Sequence, residues 1–242
     1  MKFFSVTVYA GLLLSFNAQA LVNSTEVSDE QFAADFPWVV VVEHPVTGGI
    51  CGGVLIASDW VLTAAHCTSI RKHILVGNAD RTVAKAIKVV RSIRHPKFNK
   101  ETLQFDVGLM QLEEAVDFPL VPLPSDAEVR SLLYPGRSAE LAGWGKTEGG
   151  KKAVKRLRVG EVRLNKLTLR GTNIIYDYKG GGPCGLDSGG PMLMRTIDGR
   201  RFLVGVASAT AGPLCKTNGG VAFYTNIAAV RPFILQHVES IF

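Results

Sequence analysis

Internal repeats, low-complexity tracts and flexible linkers are all missing from these 242 residues, which excludes solenoid and fibrous architectures. No Cys-x-x-Cys pair and no His-x-x-x-His cluster occurs, so the usual spacings of a zinc site are missing as well. Apart from residues 3–16, no apolar run approaches the ~20 residues needed to cross a bilayer. Charged residues make up only 20% against 47% hydrophobic, which excludes a disordered chain and fits a globular one. The net charge of +6 is too modest to select nucleic acid as a partner. Cysteine is scarce at four residues, and four cysteines allow three pairings.

The amino-terminal residues carry an address. Lys2 precedes the apolar run, and Asn17-Ala18-Gln19-Ala20 follows it with an Ala-x-Ala pattern. A basic start, a short apolar core and small residues at the junction make a signal peptide over residues 1–20, with cleavage after Ala20. The run is too short for a membrane anchor. The expectation is a soluble protein, extracellular or, in a bacterium, periplasmic, in which disulfides form by default. Asn23-Ser24-Thr25 also matches a glycosylation sequon.

Beyond residue 20, short apolar and β-branched runs alternate with turn residues. Strands are expected near 39–42, 53–56, 60–63, 74–76, 87–90, 107–112, 141–143, 158–164 and 202–207. Their number and spacing predict an all-β barrel or sandwich. A helix is expected only at the tail, where Ile227, Val230, Ile234, Val238 and Ile241 recur at helical spacing. Residues 146–170 hold nine lysines and arginines. They form either a solvated loop and strand face or a docking patch for an anionic polymer.

The chemistry gathers around Gly181-Gly182-Pro183-Cys184-Gly185-Leu186-Asp187-Ser188-Gly189-Gly190-Pro191. Glycines on both sides of Ser188 permit a tight backbone excursion and the close approach of another chain. A serine hydroxyl needs a base and an orienting acid to become a nucleophile. Thr63-Ala64-Ala65-His66-Cys67 supplies the base and Phe105-Asp106-Val107-Gly108-Leu109 the acid. The other histidines, His44, His73, His95 and His237, have no motif around them.

The chain order His66, Asp106, Ser188 is that of the chymotrypsin branch. With Gly143-Trp144-Gly145 and Asp187 to Pro191 added, the sequence resembles the chymotrypsin/trypsin-like serine peptidases from Leu21 to about its end. The resemblance implies a peptidase domain over residues 21–242, built as two packed six-stranded antiparallel β-barrels with a C-terminal α-helix. The barrels would cover about 21–122 and 123–242, with the crossing near residues 120–126. It also implies acyl-enzyme chemistry on protein or peptide substrates, in which His66 serves as general base and then acid while Asp106 orients and stabilises the imidazole. No cofactor, metal, nucleic acid or membrane is implied, and the expected state is a monomer.

Further roles come with the resemblance. The N–H groups of Leu186 and Ser188 would form the oxyanion hole, although the family has glycine at the first position, where leucine resists the required torsion. Leu21, freed by cleavage, would pair its ammonium with Asp187. Cys51 would bond to Cys67, and Cys184 to Cys215. Gly182 stands where trypsins carry an aspartate, so Lys and Arg find no countercharge. Ser208-Ala209-Thr210 replaces the family's Ser-Trp-Gly; Ser208 would support Asp106, and Thr210 would narrow the entry toward small or medium apolar side chains. The alternative function is a catalytically impaired homologue that binds proteins or polyanions, favoured by Leu186, Ala209 and the basic 146–170 region.

Overall fold

The fold is taken from a computed structural model, which describes residues 21–239 except 22, 70–71, 148–151, 180 and 213–218. The signal-peptide residues 1–20, Cys215 and Ile241 therefore lie outside the described residues. In chain order the first elements are strand β1 (Thr25–Glu26), helix α1 (Asp29–Asp35), β2 (Val39–Glu43), β3 (Ile50–Ala57) and β4 (Trp60–Thr63). A 3-10 turn over Ala65–Cys67 separates β4 from β5 (His73–Val76), β6 (Lys85–Arg94) and β7 (Gly108–Leu112). Helix α2 (Asp126–Leu132) follows, and then β8 (Ser138–Gly143), β9 (Arg158–Arg163), β10 (Asn165–Arg170) and β11 (Asn173–Tyr178). The chain ends with β12 (Pro191–Arg195), β13 (Arg201–Ala211), β14 (Gly220–Asn226) and α3 (Ile227–His237).

Strands β2-β3-β4-β7-β6-β5 close into a six-stranded antiparallel barrel. Its apolar runs explain the closure. Val39, Val40, Val41 and Val42 are all buried, so β2 has no solvent face to offer and must be covered on both sides. The interior is full: a Cβ on Gly53 would meet the side chains of Val61, Val40 and Val42 within about 3 Å.

The second body is an antiparallel sheet in the order β1-β9-β8-β12-β13-β14-β11-β10. A second six-stranded barrel is expected there; the structure gives an eight-stranded sheet, with β9, β8, β12, β13, β14 and β11 in its middle. Two short additions extend its ends. The two-residue β1 pairs Thr25 with Val159 and Glu26 with Arg158, so a segment preceding the first barrel is woven into the second body. At the other end β10 folds back on β11 through Gly171.

Helix α3 forms at the tail as the spacing predicts, burying Ile227, Val230, Phe233 and Ile234. Two further helices were not expected. Helix α1 is capped by Ser28, whose hydroxyl accepts the Gln31 N–H. Helix α2 opens on a reciprocal capping box between Ser125 and Glu128. Each is only seven residues long, too short for apolar periodicity to stand out. Among the described residues, no helix is long and apolar enough to cross a membrane.

Candidate active site

The crevice between the two bodies receives one segment from each motif. Strand β4 ends at Thr63, and the 3-10 turn that follows carries His66, tied to β3 by the Cys51–Cys67 disulfide. Asp106 lies just before β7, on the same barrel. Ser188 comes from the loop between β11 and β12, on the opposite body.

Asp106 is fully buried, and a carboxylate there is tolerable only with donors around it. It has three. His66 Nδ1 lies 2.8 Å from Oδ2, the His66 N–H donates to Oδ1 at 3.1 Å, and Ser208 Oγ donates to Oδ2 at 2.6 Å. Burial alone would raise the pKa of this carboxyl, but the hydrogen bonds from His66 and Ser208 outweigh it and hold the group below the ordinary aspartate range. With Nδ1 committed to Asp106, the imidazole has Nε2 left for a reacting group. The ring is 35% exposed, open to the crevice.

Ser188 Oγ donates a long hydrogen bond of 3.5 Å to the Ser208 carbonyl; among the described residues it makes none to His66. Catalytic hydrogen bonds commonly tighten only with substrate in place. Ser208 therefore touches both partners, through its hydroxyl on Asp106 and its carbonyl on Ser188.

The loop before Ser188 resolves the question raised by Leu186. The Asp187 N–H donates to the Cys184 carbonyl at 3.3 Å, closing a turn in which Leu186 takes φ +76°. Turns of this kind favour glycine there, yet leucine adopts the left-handed torsion. The Gly185 carbonyl accepts the Lys146 N–H at 2.7 Å. Because the following peptide is trans and planar, the Leu186 N–H points the opposite way. Among the described residues neither this N–H nor that of Ser188 has a partner, while those of Asp187, Gly189 and Gly190 are all engaged.

Asp187 faces inward. Its carboxylate accepts the Gly145 N–H and the Cys184 N–H, both at 2.9 Å, and among the described residues it has no ion pair. Burial pushes its pKa up to about 7, against the pull of those two N–H groups. Gly143 and Gly145 have no alternative residue, since a Cβ on either would strike the Asp187 carboxylate. In this uncleaved chain Leu21 is buried in the second core at φ +51°, and Ser24 Oγ donates to its carbonyl at 2.7 Å. Cys184 is disulfide-bonded; its expected partner, Cys215, lies outside the described residues.

Beside Ser188 opens a cavity of about 70 Å³, lined among others by Pro183, Ala207, Ser208, Ala209, Thr210 and Tyr224. Ser208, Ala209 and Thr210 share this lining with Asp187 and Ser188. Gly182 is not on the cavity wall: it lies against the ring of Tyr178, which a Cβ would approach to 2.4 Å. Tyr178 and Tyr224 are the residues the sequence reading missed. Both are buried, and both sit on strands, β11 and β14, that no apolar run announced. The only signal for Tyr224 is its place in Val221-Ala222-Phe223-Tyr224-Thr225, where strand alternation turns it inward.

The sequence pattern of the Trypsin family matches residues 26–234. The chain is 30% identical to the Suppressor of tumorigenicity 14 protein homolog of Bos taurus over 93% of its own length. It is 31% identical to Serine proteinase stubble of Drosophila melanogaster over 84%. A third relative, CLIP domain-containing serine protease B4 of Anopheles gambiae, is 29% identical over 84% of this chain and 67% of its own. The chain spans only 29% and 30% of the first two relatives.

Proposed function

The chain belongs to the trypsin family, and from that premise we propose that it is an exported serine endopeptidase working through His66, Asp106 and Ser188. His66 Nε2 takes the proton of Ser188 Oγ as the oxygen attacks the scissile carbonyl. The resulting oxyanion is held by the N–H groups of Leu186 and Ser188. His66 then passes its proton to the leaving amine, and water repeats the sequence to release the acyl group. Asp106 fixes the imidazole tautomer throughout. No step calls for a metal or cofactor.

The observation that carries this reading is the torsion of Leu186. A leucine held at φ +76° keeps its N–H unengaged beside that of Ser188, whereas losing one such donor costs about 10²–10³ in kcat. Leader removal after Ala20 would free the Leu21 ammonium to pair with the buried Asp187, so export itself would complete the site. The Ala209 and Thr210 side chains, a cavity of about 70 Å³ and the commitment of its lining acid, Asp187, to two backbone N–H groups favour small or medium apolar residues at the cleavage position.

The binding-module alternative rests on Ala209 and the basic 146–170 region. Four of those cations are engaged within the protein: Arg156 pairs with Asp29 at 2.7 Å, Lys166 pairs with Asp177 at 3.1 Å, Arg158 donates to Ser24 Oγ at 3.0 Å and Arg163 donates to the Gly136 carbonyl at 3.2 Å. The test is fluorophosphonate labelling of secreted, mature protein beside Ser188→Ala. Stoichiometric labelling lost in the variant is expected. Folded, cleaved wild type that takes no label would overturn the peptidase reading and favour the binder.

A further inference from the structure

The segment that delivers Asp106 is strained. Leu103 and Phe105 both take φ +57°, a left-handed torsion that costs a non-glycine residue about 1–3 kcal/mol and persists only where its surroundings enforce it. The first barrel supplies part of that enforcement. Asn99 pairs with Gln104 across the loop, and the Phe105 ring stacks on His95 with centroids 4.6 Å apart.

The rest comes from the other body. The Phe105 N–H donates to Thr172 Oγ1 at 2.8 Å. That hydroxyl passes its own hydrogen to Gln104 Oε1 at 3.2 Å, which also accepts the Thr172 N–H at 2.8 Å. Gln104 Nε2 reaches on to the Arg170 carbonyl at 3.2 Å. The four bonds form a closed clamp between the Asp106 loop and the β10–β11 turn. Gly171 at the apex cannot carry a side chain, because a Cβ there would fall on Gln104 Oε1. On the other side of Asp106, Thr225 Oγ1 donates to the Asp106 carbonyl at 2.8 Å.

We infer that Gln104 and Thr172 are positioning residues for the reaction, locking the backbone on the amino side of Asp106 as Thr225 locks it on the carboxyl side. The inference rests on the peptidase reading for its kinetic consequence, but its structural content is separate. Asp106 belongs to the first barrel by sequence, and its position is set by three side chains of the second: Thr172, Ser208 and Thr225. The triad geometry is then correct only while the two bodies hold their mutual register. Displacement of a catalytic group by about 1 Å is enough to cost about 10²-fold.

The experiment compares Gln104→Ala, Thr172→Val and Thr172→Ser in mature protein. Thr172→Val keeps the shape but removes the acceptor for Phe105; Thr172→Ser keeps it. The expected result is a fall in kcat of about tenfold or more for the first two at nearly constant KM, with Thr172→Ser restoring the rate. The low-field proton resonance of the His66–Asp106 hydrogen bond should shift or broaden in the same two variants and recover in the third. That resonance reads the clamp without catalysis, so it stays decisive even if wild type takes no fluorophosphonate and the peptidase reading falls. Should Thr172→Val fail to fold, Gln104→Ala alone carries the comparison. Folded variants with wild-type resonance and wild-type kcat would overturn the inference.

Discussion

Gly52 and Gly190 touch backbone to backbone. A Cβ on Gly52 would lie 2.7 Å from both Cα and N of Gly190, and the Gly52 N–H donates to the Ser188 carbonyl at 2.7 Å. Gly189, at φ +82°, presses against the Gly52 carbonyl from the same loop. A strand of the first barrel thus forms a wall on which the nucleophile loop of the second body is seated, with no side chain between them.

Gly52→Ala should therefore displace the loop rather than the strand. The expected cost is about 1–3 kcal/mol in unfolding free energy, typical of an overpacked contact, together with slower fluorophosphonate labelling. Chemical denaturation with parallel labelling kinetics checks both. Unchanged labelling would show that Ser188 does not depend on this seat.

Leu186→Gly tests the torsion directly. Glycine takes φ +76° without steric cost. The expected outcome is retained or faster turnover, by up to about tenfold if the released strain of ~1.4 kcal/mol appears in the transition state. A large loss in kcat would mean that the leucine side chain, which packs partly against the first core, is needed to hold the donor in place.

The buried Asp187 predicts how stability depends on pH before and after leader removal. An unfolded aspartate releases its proton near pH 3.9, but the folded one in the uncleaved chain keeps it until about 7. Between those values the native state binds the extra proton, so stability is greatest below about 4 and declines as pH rises to 7, by about 4 kcal/mol. An ammonium paired with the carboxylate removes that decline. Melting temperatures from pH 4 to 7 should fall for the uncleaved protein and much less for protein beginning at Leu21. Asp187→Asn should flatten the uncleaved curve. Identical slopes in the cleaved and uncleaved proteins would argue against docking of the terminus.

The cavity beside Ser188 predicts selectivity. Peptides with Ala or Val at the cleaved position should exceed those with Arg or Phe by about tenfold or more in kcat/KM, because about 70 Å³ leaves little room for a bulky side chain and Asp187, the acid on the lining, is committed to the Gly145 and Cys184 N–H groups. Thr210→Gly should relax the preference toward larger apolar residues. A profile dominated by Arg or Lys would refute this reading of the walls.

Much of this arrangement can be read from the chain because it depends on short-range constraints. His66, Asp106 and Ser188 lie in short segments whose neighbours, a disulfide cysteine, a glycine with no room for a Cβ and an inward aspartate, are each forced by contacts now visible. The β2 to β7 barrel was legible because its strands are buried runs such as Val39 to Val42. Strand β10 was not, since five of its six residues are exposed and its pairing rests on β11 rather than on any apolar face. Gly182 is off the cavity lining because it packs on the ring of Tyr178, four residues earlier in the chain. Leu186 shows the opposite limit. Residue type argued against the torsion, and the hydrogen bonds of Asp187 and Gly185 on either side imposed it.

The pairing of Thr25 with Val159 sets the timing of assembly. The partner strand is synthesised more than a hundred residues after β1, so this segment waits without its ladder while the whole first barrel is made. The first barrel can close from contiguous chain. Leu21, buried in the second core, becomes fixed only when the second body has formed. The fold gathers in this segment last.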